Sequence, residues 1–156
     1  MTKKIQILGG ARTAMCEYVG TAGFGLFKDT SAIELGAQIT REALRRTEVD
    51  PTDVDHVVIG NVMQTSSDAL YGARHIALRA GLPIETPGLT VNRLCGSGLQ
   101  SIITGASHIL FDEAQWVVPG GAMNLPLIHT CRSRRLYACL RPCLPYLQKN
   151  KYNQSV

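Results

Sequence analysis

The sequence predicts an α/β fold in which helices pack on a largely parallel sheet. Three observations carry this. Val57-Val58-Ile59 and Gly88-Leu89-Thr90-Val91 are short apolar, β-branched runs that read as strands buried on both faces. Between such runs lie stretches with apolar residues at helical spacing, such as Leu99, Ile102, Ile103, Ala106, Ile109 and Leu110. The two kinds of segment alternate as β-α-β-α-β-α-β, the order of parallel strands joined by right-handed crossovers.

Each element has its own signal. Ile5 to Leu8 reads as the first strand, and Gly20 to Gly25 as a glycine-containing loop. Thr30 or Ser31 can cap a helix from about Ala32 to Arg46, with Glu34 near its positive end and Arg45 and Arg46 near its negative end. Ile33, Leu35, Ile39 and Leu44 give that helix an apolar face. Pro51-Thr52-Asp53 is a turn, and a second strand lies within Val54 to Val62. Ser66 or Ser67 would cap a helix through about Ala80, closed by Gly81 and Pro83. A third strand leads to Cys95, and a third helix runs from about Gly98 to Phe111. Ala114 to Val118 would be the fourth strand, stopped by Pro119-Gly120-Gly121.

At 156 residues one domain is expected, and 45% hydrophobic residues suit a globular chain. No apolar run is long enough to span a bilayer, and Ile5 to Leu8 is too short for a signal peptide. Five irregularly spaced cysteines fit reduced thiols better than a disulfide framework, so a cytoplasmic setting is expected. The net charge of +4 hides a break. All twelve acids lie at or before Glu113, where ten lysines and arginines leave a net −2; the remainder carries six basic residues and no acid. Such a break marks a functional basic segment or one of different coding origin.

Cys95 is the leading candidate for chemistry. It sits in Val91-Asn92-Arg93-Leu94-Cys95-Gly96-Ser97-Gly98-Leu99-Gln100-Ser101-Ile102, which reads as strand, tight turn, helix. Gly96 and Gly98 bracket Ser97 and suit a sharp bend with a close backbone approach. A thiol at the mouth of a helix meets unpaired N–H groups and a dipole that favour negative charge, the setting of an activated sulfur nucleophile. The residue pattern alone leaves a second reading open, in which the cysteine is a small buried hydrophobe.

The run from Val91 to Ile109 resembles the acyl-enzyme signature of thiolases. Gly60-Asn61-Val62-Met63-Gln64-Thr65-Ser66-Ser67-Asp68-Ala69-Leu70-Tyr71-Gly72-Ala73-Arg74-His75 is similar to the same family, in its 3-ketoacyl-CoA thiolase and acetyl-CoA acyltransferase branch. Arg12-Thr13-Ala14 and the run from Lys28 to Ala37 resemble its opening, so the likeness covers residues 4 to about 121. The resemblance implies thiolase-like α/β/α layers, here the first half only. It implies acyl transfer between acyl-CoA and acetyl-CoA, or the reverse thiolysis, through an acyl-thioester on Cys95. The backbone N–H of Cys95 would be one oxyanion donor. Coenzyme A would be a cosubstrate, with no cofactor and no metal. A homo-oligomer, or association with a full-length thiolase, is the implied assembly.

The likeness also has limits. The family's catalytic histidine in a Gly-His-Pro segment and its second cysteine before glycines have no match here. His129 is followed by Thr130, and none of Cys131, Cys139 and Cys143 precedes a glycine. Most of the CoA-binding region is missing, so no CoA-binding residue is assigned and this chain alone is expected to be inactive. After Gly121 the family's acidic residue and Met-Ser pair do not appear, and Pro119 replaces a small apolar residue. The expected organisation is therefore an incomplete thiolase N-terminal domain over 1–121 and a basic, irregular non-family tail over 122–156. A truncated gene product with a frameshifted tail is the simplest account. Translating the adjacent frames of the locus would test it, and finding no thiolase-like sequence there would count against it.

Other residues weigh less. His75 reads as a hydrogen-bonded helix residue, His56 and His108 as surface or strand-edge residues, and Asn92 and Arg93 as structural neighbours of Cys95. His129, Cys131, Cys139 and Cys143 could hold zinc only with spacings unlike those of paired ligand loops, so no metal site is assigned. The basic tail contains no recognised nucleic-acid-binding module, and neither nucleic acid nor membrane is expected as a partner. Gly9-Gly10 and Gly20 to Gly25 lack the spacing of phosphate or dinucleotide loops.

Overall fold

The computed structural model describes residues 4–14, Cys16 and residues 25–124. Three helices and three strands follow one another: α1 (Ala32–Thr47), β1 (His56–Gly60), α2 (Gly72–Ala80), β2 (Gly88–Val91), α3 (Ser97–Leu110) and β3 (Val117–Gly121). The strands form one parallel sheet in the order β2-β1-β3. Val57 pairs with Gly88 on one side, and His56 with Val117 on the other.

β1 is the centre of the sheet, and its sequence explains why. Val57, Val58 and Ile59 are at most 3% exposed, as a strand covered on both faces requires. Side chains alternate across the sheet. Val57 and Ile59 join Ile33 and Leu44 of α1 and Ala73, Ile76, Ala77 and Ala80 of α2 in the main core. Gly60, of opposite parity, faces α3. The chain crosses from β1 to β2 in one direction and returns past β1 to β3 in the other. Right-handed crossovers in opposite directions place α2 and α3 on opposite faces, giving α/β/α layers.

The helix ends largely follow their expected signals. Ser31 caps α1 by accepting from the Glu34 N–H at 3.0 Å, and Glu48 closes it in a left-handed conformation. Gly81, at φ 93°, closes α2 with N–H bonds to Ala77 and Leu78 carbonyls. The start of α2 differs from expectation. Neither Ser66 nor Ser67 caps it. Ala69–Tyr71 forms a 3₁₀ turn, and α2 begins after Tyr71 with no side-chain bond from its own cap. Thr90 of β2 supplies the acceptor instead, 3.1 Å from the Ala73 N–H.

Two strand expectations are corrected. Ile5 to Leu8 forms no strand: among the described residues this segment has no ladder partner, and Ile7 is 80% exposed. It flanks a cavity of about 780 Å³ that also touches α1, α3 and β3. An apolar run becomes a strand only with a neighbour at roughly 4.8 Å, and here the cavity intervenes. Pro119-Gly120-Gly121 does not stop the fourth predicted strand but lies inside it. The Trp116 carbonyl and the Ala122 N–H both bond toward β1. Alternate residues between them therefore face β1, and Pro119 falls on the other parity. Its missing N–H points to the open edge and costs the ladder nothing.

Among the described residues no helix is long and apolar enough to cross a membrane. The expected loop at Gly20 to Gly25 lies mostly outside the described residues, as do His129, Cys131, Cys139, Cys143 and nearly all of the expected tail.

Candidate active site

Cys95 stands where the sequence places it, between β2 and α3, two residues before the first helical residue. It is a free, exposed cysteine. The reading of this residue as a buried hydrophobe is thereby excluded.

The approach of α3 to the sheet explains the position. A Cβ on Gly60 would collide with the Ser97 carbonyl and lie 2.9 Å from the Gly98 nitrogen. A Cβ on Gly121 would lie 3.4 Å from the Gly98 Cα. Glycines at the carboxyl ends of β1 and β3 thus let the first turn of α3 rest on the sheet edge. Gly98 itself has open space around its missing Cβ. A Cβ on Gly96 would lie 3.3 Å from the Arg93 carbonyl oxygen, the close approach expected there, whereas the approach of Gly98 to the sheet is made possible by glycines on other strands.

The turn that carries Cys95 is tightly bonded. The Gly96 and Ser97 N–H groups donate to the Arg93 and Leu94 carbonyls, each at 3.0 Å. The Ser97 hydroxyl accepts from the Arg93 N–H at 2.8 Å and donates to the Leu94 carbonyl at 2.6 Å. Asn92 Oδ1 accepts from the Leu94 N–H at 3.0 Å, and Asn92 Nδ2 donates to the Val62 carbonyl at 3.4 Å. Leu94 has φ 49°, a left-handed conformation rarely adopted outside glycine, asparagine and aspartate. Arg93 reaches along α3 to Gln100 Oε1 at 2.7 Å, and Gln100 continues to the Thr104 hydroxyl at 3.1 Å. Asn92 and Arg93 therefore hold the turn, as expected. Ser97 is the residue that sequence reasoning missed. Its signal was a serine placed to bond the backbone three and four residues back.

The histidines fall elsewhere. His75 lies on α2, edge-on to Tyr71 with ring centroids 6.3 Å apart. His56, at the start of β1, and His108, in the last turn of α3, stack at 4.3 Å. Glu113 is 2.6 Å from His108 Nδ1. His56 thus lies at a strand end, within the expected surface or strand-edge reading, and it and His108 form a packed pair that this reading does not include. Burial, with help from His108, pushes the His56 imidazole below its ordinary range, against an opposing hydrogen bond to the Val57 carbonyl and the charge of Glu113. This pair sits at the opposite end of β1 from the Cys95 turn.

Chemically, the turn presents one sulfur to solvent beside the start of a helix whose first N–H groups lack intrahelical acceptors. That arrangement suits a thiolate nucleophile and holds no general base of its own. Among the described residues no three metal-ligating side chains converge.

Comparison with known proteins agrees with this geometry. The thiolase N-terminal domain family matches residues 5–145. A beta-ketothiolase of Cupriavidus necator is 46% identical over 125 residues, 80% of this chain and 30% of that protein. The human mitochondrial 3-ketoacyl-CoA thiolase is 49% identical over 107 residues, 69% of this chain and 27% of that protein. The crystal structure of that human enzyme in complex with CoA superposes with a TM-score of 0.60 at 52% identity, over 62% of this chain and 25% of the other. The chain thus spans at most 30% of the length of these relatives. It belongs to the thiolase family, whose N-terminal domain its sequence and its layered parallel sheet share.

Proposed function

We propose that Cys95 is the nucleophile of a thiolase-type acyl transfer. The observation that carries this is an exposed thiol at the start of α3, on a turn seated on Gly60 and Gly121, in a chain of this family. The Cys95 thiolate would attack the carbonyl carbon of an acyl-CoA thioester. A new carbon–sulfur bond forms to Cys95, the bond to CoA sulfur breaks, and CoA leaves as a thiolate that takes up a proton. In the second half-reaction the acyl group passes to the α-carbanion of acetyl-CoA, giving 3-oxoacyl-CoA and free Cys95. In the thiolysis direction the Cys95 thiolate would instead attack the 3-oxo carbon of a 3-oxoacyl-CoA. The bond between that carbon and the α-carbon breaks, and the α-carbanion takes up a proton and leaves as acetyl-CoA. The acyl group then passes from Cys95 to the sulfur of CoA, whose thiol proton is released. The Cys95 backbone N–H would be one oxyanion donor. Neither the second acid/base cysteine nor the Gly-His-Pro histidine has a counterpart in this sequence. The chain alone is therefore proposed to form the acyl-thioester at most slowly and not to turn over.

The test is incubation of the full chain with acetyl-CoA followed by intact mass measurement. One acetyl increment, labile to hydroxylamine and lost in Cys95→Ser, is expected. A thioester that persists in Cys95→Ser would place the chemistry elsewhere.

A second reading has its own observation. α3 presents Leu99, Ile102, Ile103 and Leu110 outward, each more than 40% exposed, beyond what an ordinary surface helix shows. This favours a non-catalytic product that associates with a full-length thiolase through α3. Co-purification with such a partner would support it, and a monomer that ignores the partner would count against it. The cysteine composition supports a cytoplasmic location. Residues 122–156 are proposed to be a non-family tail, on their charge and the loss of the family's motifs after Gly121, although the family match itself runs to residue 145.

A further inference from the structure

We infer that Asn92 and Ser97 are positioning residues for Cys95: together they hold Leu94 in its left-handed conformation and so fix the thiol at the start of α3. The inference rests on the reading of Cys95 as nucleophile. Leu94, at φ 49°, is the only non-glycine residue of the turn with positive φ. Its side chain is 72% exposed, so core packing does not hold it there. The backbone groups on both sides of that φ are instead gripped by side chains. The Leu94 N–H donates to Asn92 Oδ1 at 3.0 Å, and the Leu94 carbonyl accepts from the Ser97 hydroxyl at 2.6 Å in addition to the Ser97 N–H at 3.0 Å.

Both grips are anchored. Asn92 is tied through Nδ2 to the Val62 carbonyl, just beyond β1. Ser97 is 3% exposed, and its hydroxyl also accepts from the Arg93 N–H at 2.8 Å. Cys95 lies between the gripped Leu94 and the buried Ser97. A leucine released from these bonds would return to negative φ, because the left-handed form is sterically unfavourable for an L side chain. The direction of the Cys95 Cα–Cβ bond would change with it, and the sulfur would leave the helix mouth.

The test is the rate of alkylation by iodoacetamide at Cys95 in the full chain, read by peptide mapping with Cys16 as internal reference. Ser97→Ala and Asn92→Ala should each slow Cys95 by about tenfold and leave Cys16 unchanged. Adding Leu94→Gly to either variant should restore the rate to within about twofold, because glycine holds this φ without the grip. Asn92→Asp, which keeps the Oδ1 acceptor, should react faster than Asn92→Ala. A wild-type rate in either alanine variant, or no rescue by Leu94→Gly, would overturn the inference. Should Ser97→Ala fail to fold, the exposed Asn92 with its glycine rescue decides alone. Alkylation needs no acyl-CoA, so the two readings fail separately. The expected alkylation pattern without any acetylation of Cys95 overturns the proposed function and leaves the positioning role standing. Equal acetylation and alkylation rates in all variants overturn only the positioning role.

Discussion

Gly60, the last residue of β1, lies directly beneath the Ser97 carbonyl, the first of α3. The contact links the centre of the sheet to the turn that presents Cys95. Any side chain at position 60 must push the helix start away, and the opposing atoms are backbone that cannot rotate aside. Gly60→Ala is expected to destabilise the fold by about 1–3 kcal/mol, as overpacking of rigid atoms does. Thermal or urea unfolding checks this, and a neutral effect would show that the helix start yields freely.

Gly98 supplies the contrast. Its absent Cβ faces open space, and it lies within α3. Gly98→Ala should stabilise the chain by roughly 0.5–1 kcal/mol through helix propensity. The same unfolding measurement reads it. Opposite signs for Gly60→Ala and Gly98→Ala would support the geometry of this junction.

The sequence carried the α/β alternation, the Ser31 cap, the Gly81 stop and the place of Cys95. These depend on local patterns: apolar period, a capping hydroxyl, a left-handed glycine. It did not carry features fixed by neighbours distant in the chain. Ile5 to Leu8 has the composition of a strand, yet pairing depends on an adjacent edge. Pro119 reads as a stop until the parity of its edge is known. Gly96 and Gly98 suggest a sharp bend with a close backbone approach, but the positive φ of the bend falls on Leu94, and Gly60 permits the approach to the sheet. Position 60 is 37 residues from Ser97 in sequence, and no local pattern connects them.

Thr90 illustrates the same point at α2. Its hydroxyl accepts from the Ala73 N–H at the start of the helix, a role its own strand does not reveal. Thr90→Val keeps the shape and removes the acceptor. A loss of about 1 kcal/mol is expected, with Thr90→Ser losing less. Equal stability of the two variants would show that solvent satisfies this donor instead.

His56 gives a pH dependence with a definite sign. Desolvation lowers its pKa in the folded chain below the ordinary value of 6.5. Over that interval the unfolded chain binds more protons than the folded one. The contribution is fully present above about pH 6.5 and is lost as pH falls through the folded value. His56→Phe keeps a ring against His108 and removes the titration. Its stability should vary less with pH below about 6.5 than that of the wild type. Chemical denaturation in buffers spanning this window tests it, and parallel curves for the two proteins would rule the assignment out.

The most direct measurement for the account as a whole is peptide-level mass spectrometry of the full chain after exposure to acetyl-CoA. The account predicts acetyl on the peptide containing Cys95, removable by hydroxylamine, with Cys16 unmodified. Acetyl spread evenly over the cysteines, or its absence from Cys95 while another cysteine carries it, would contradict the claim that this turn prepares one sulfur for acyl transfer.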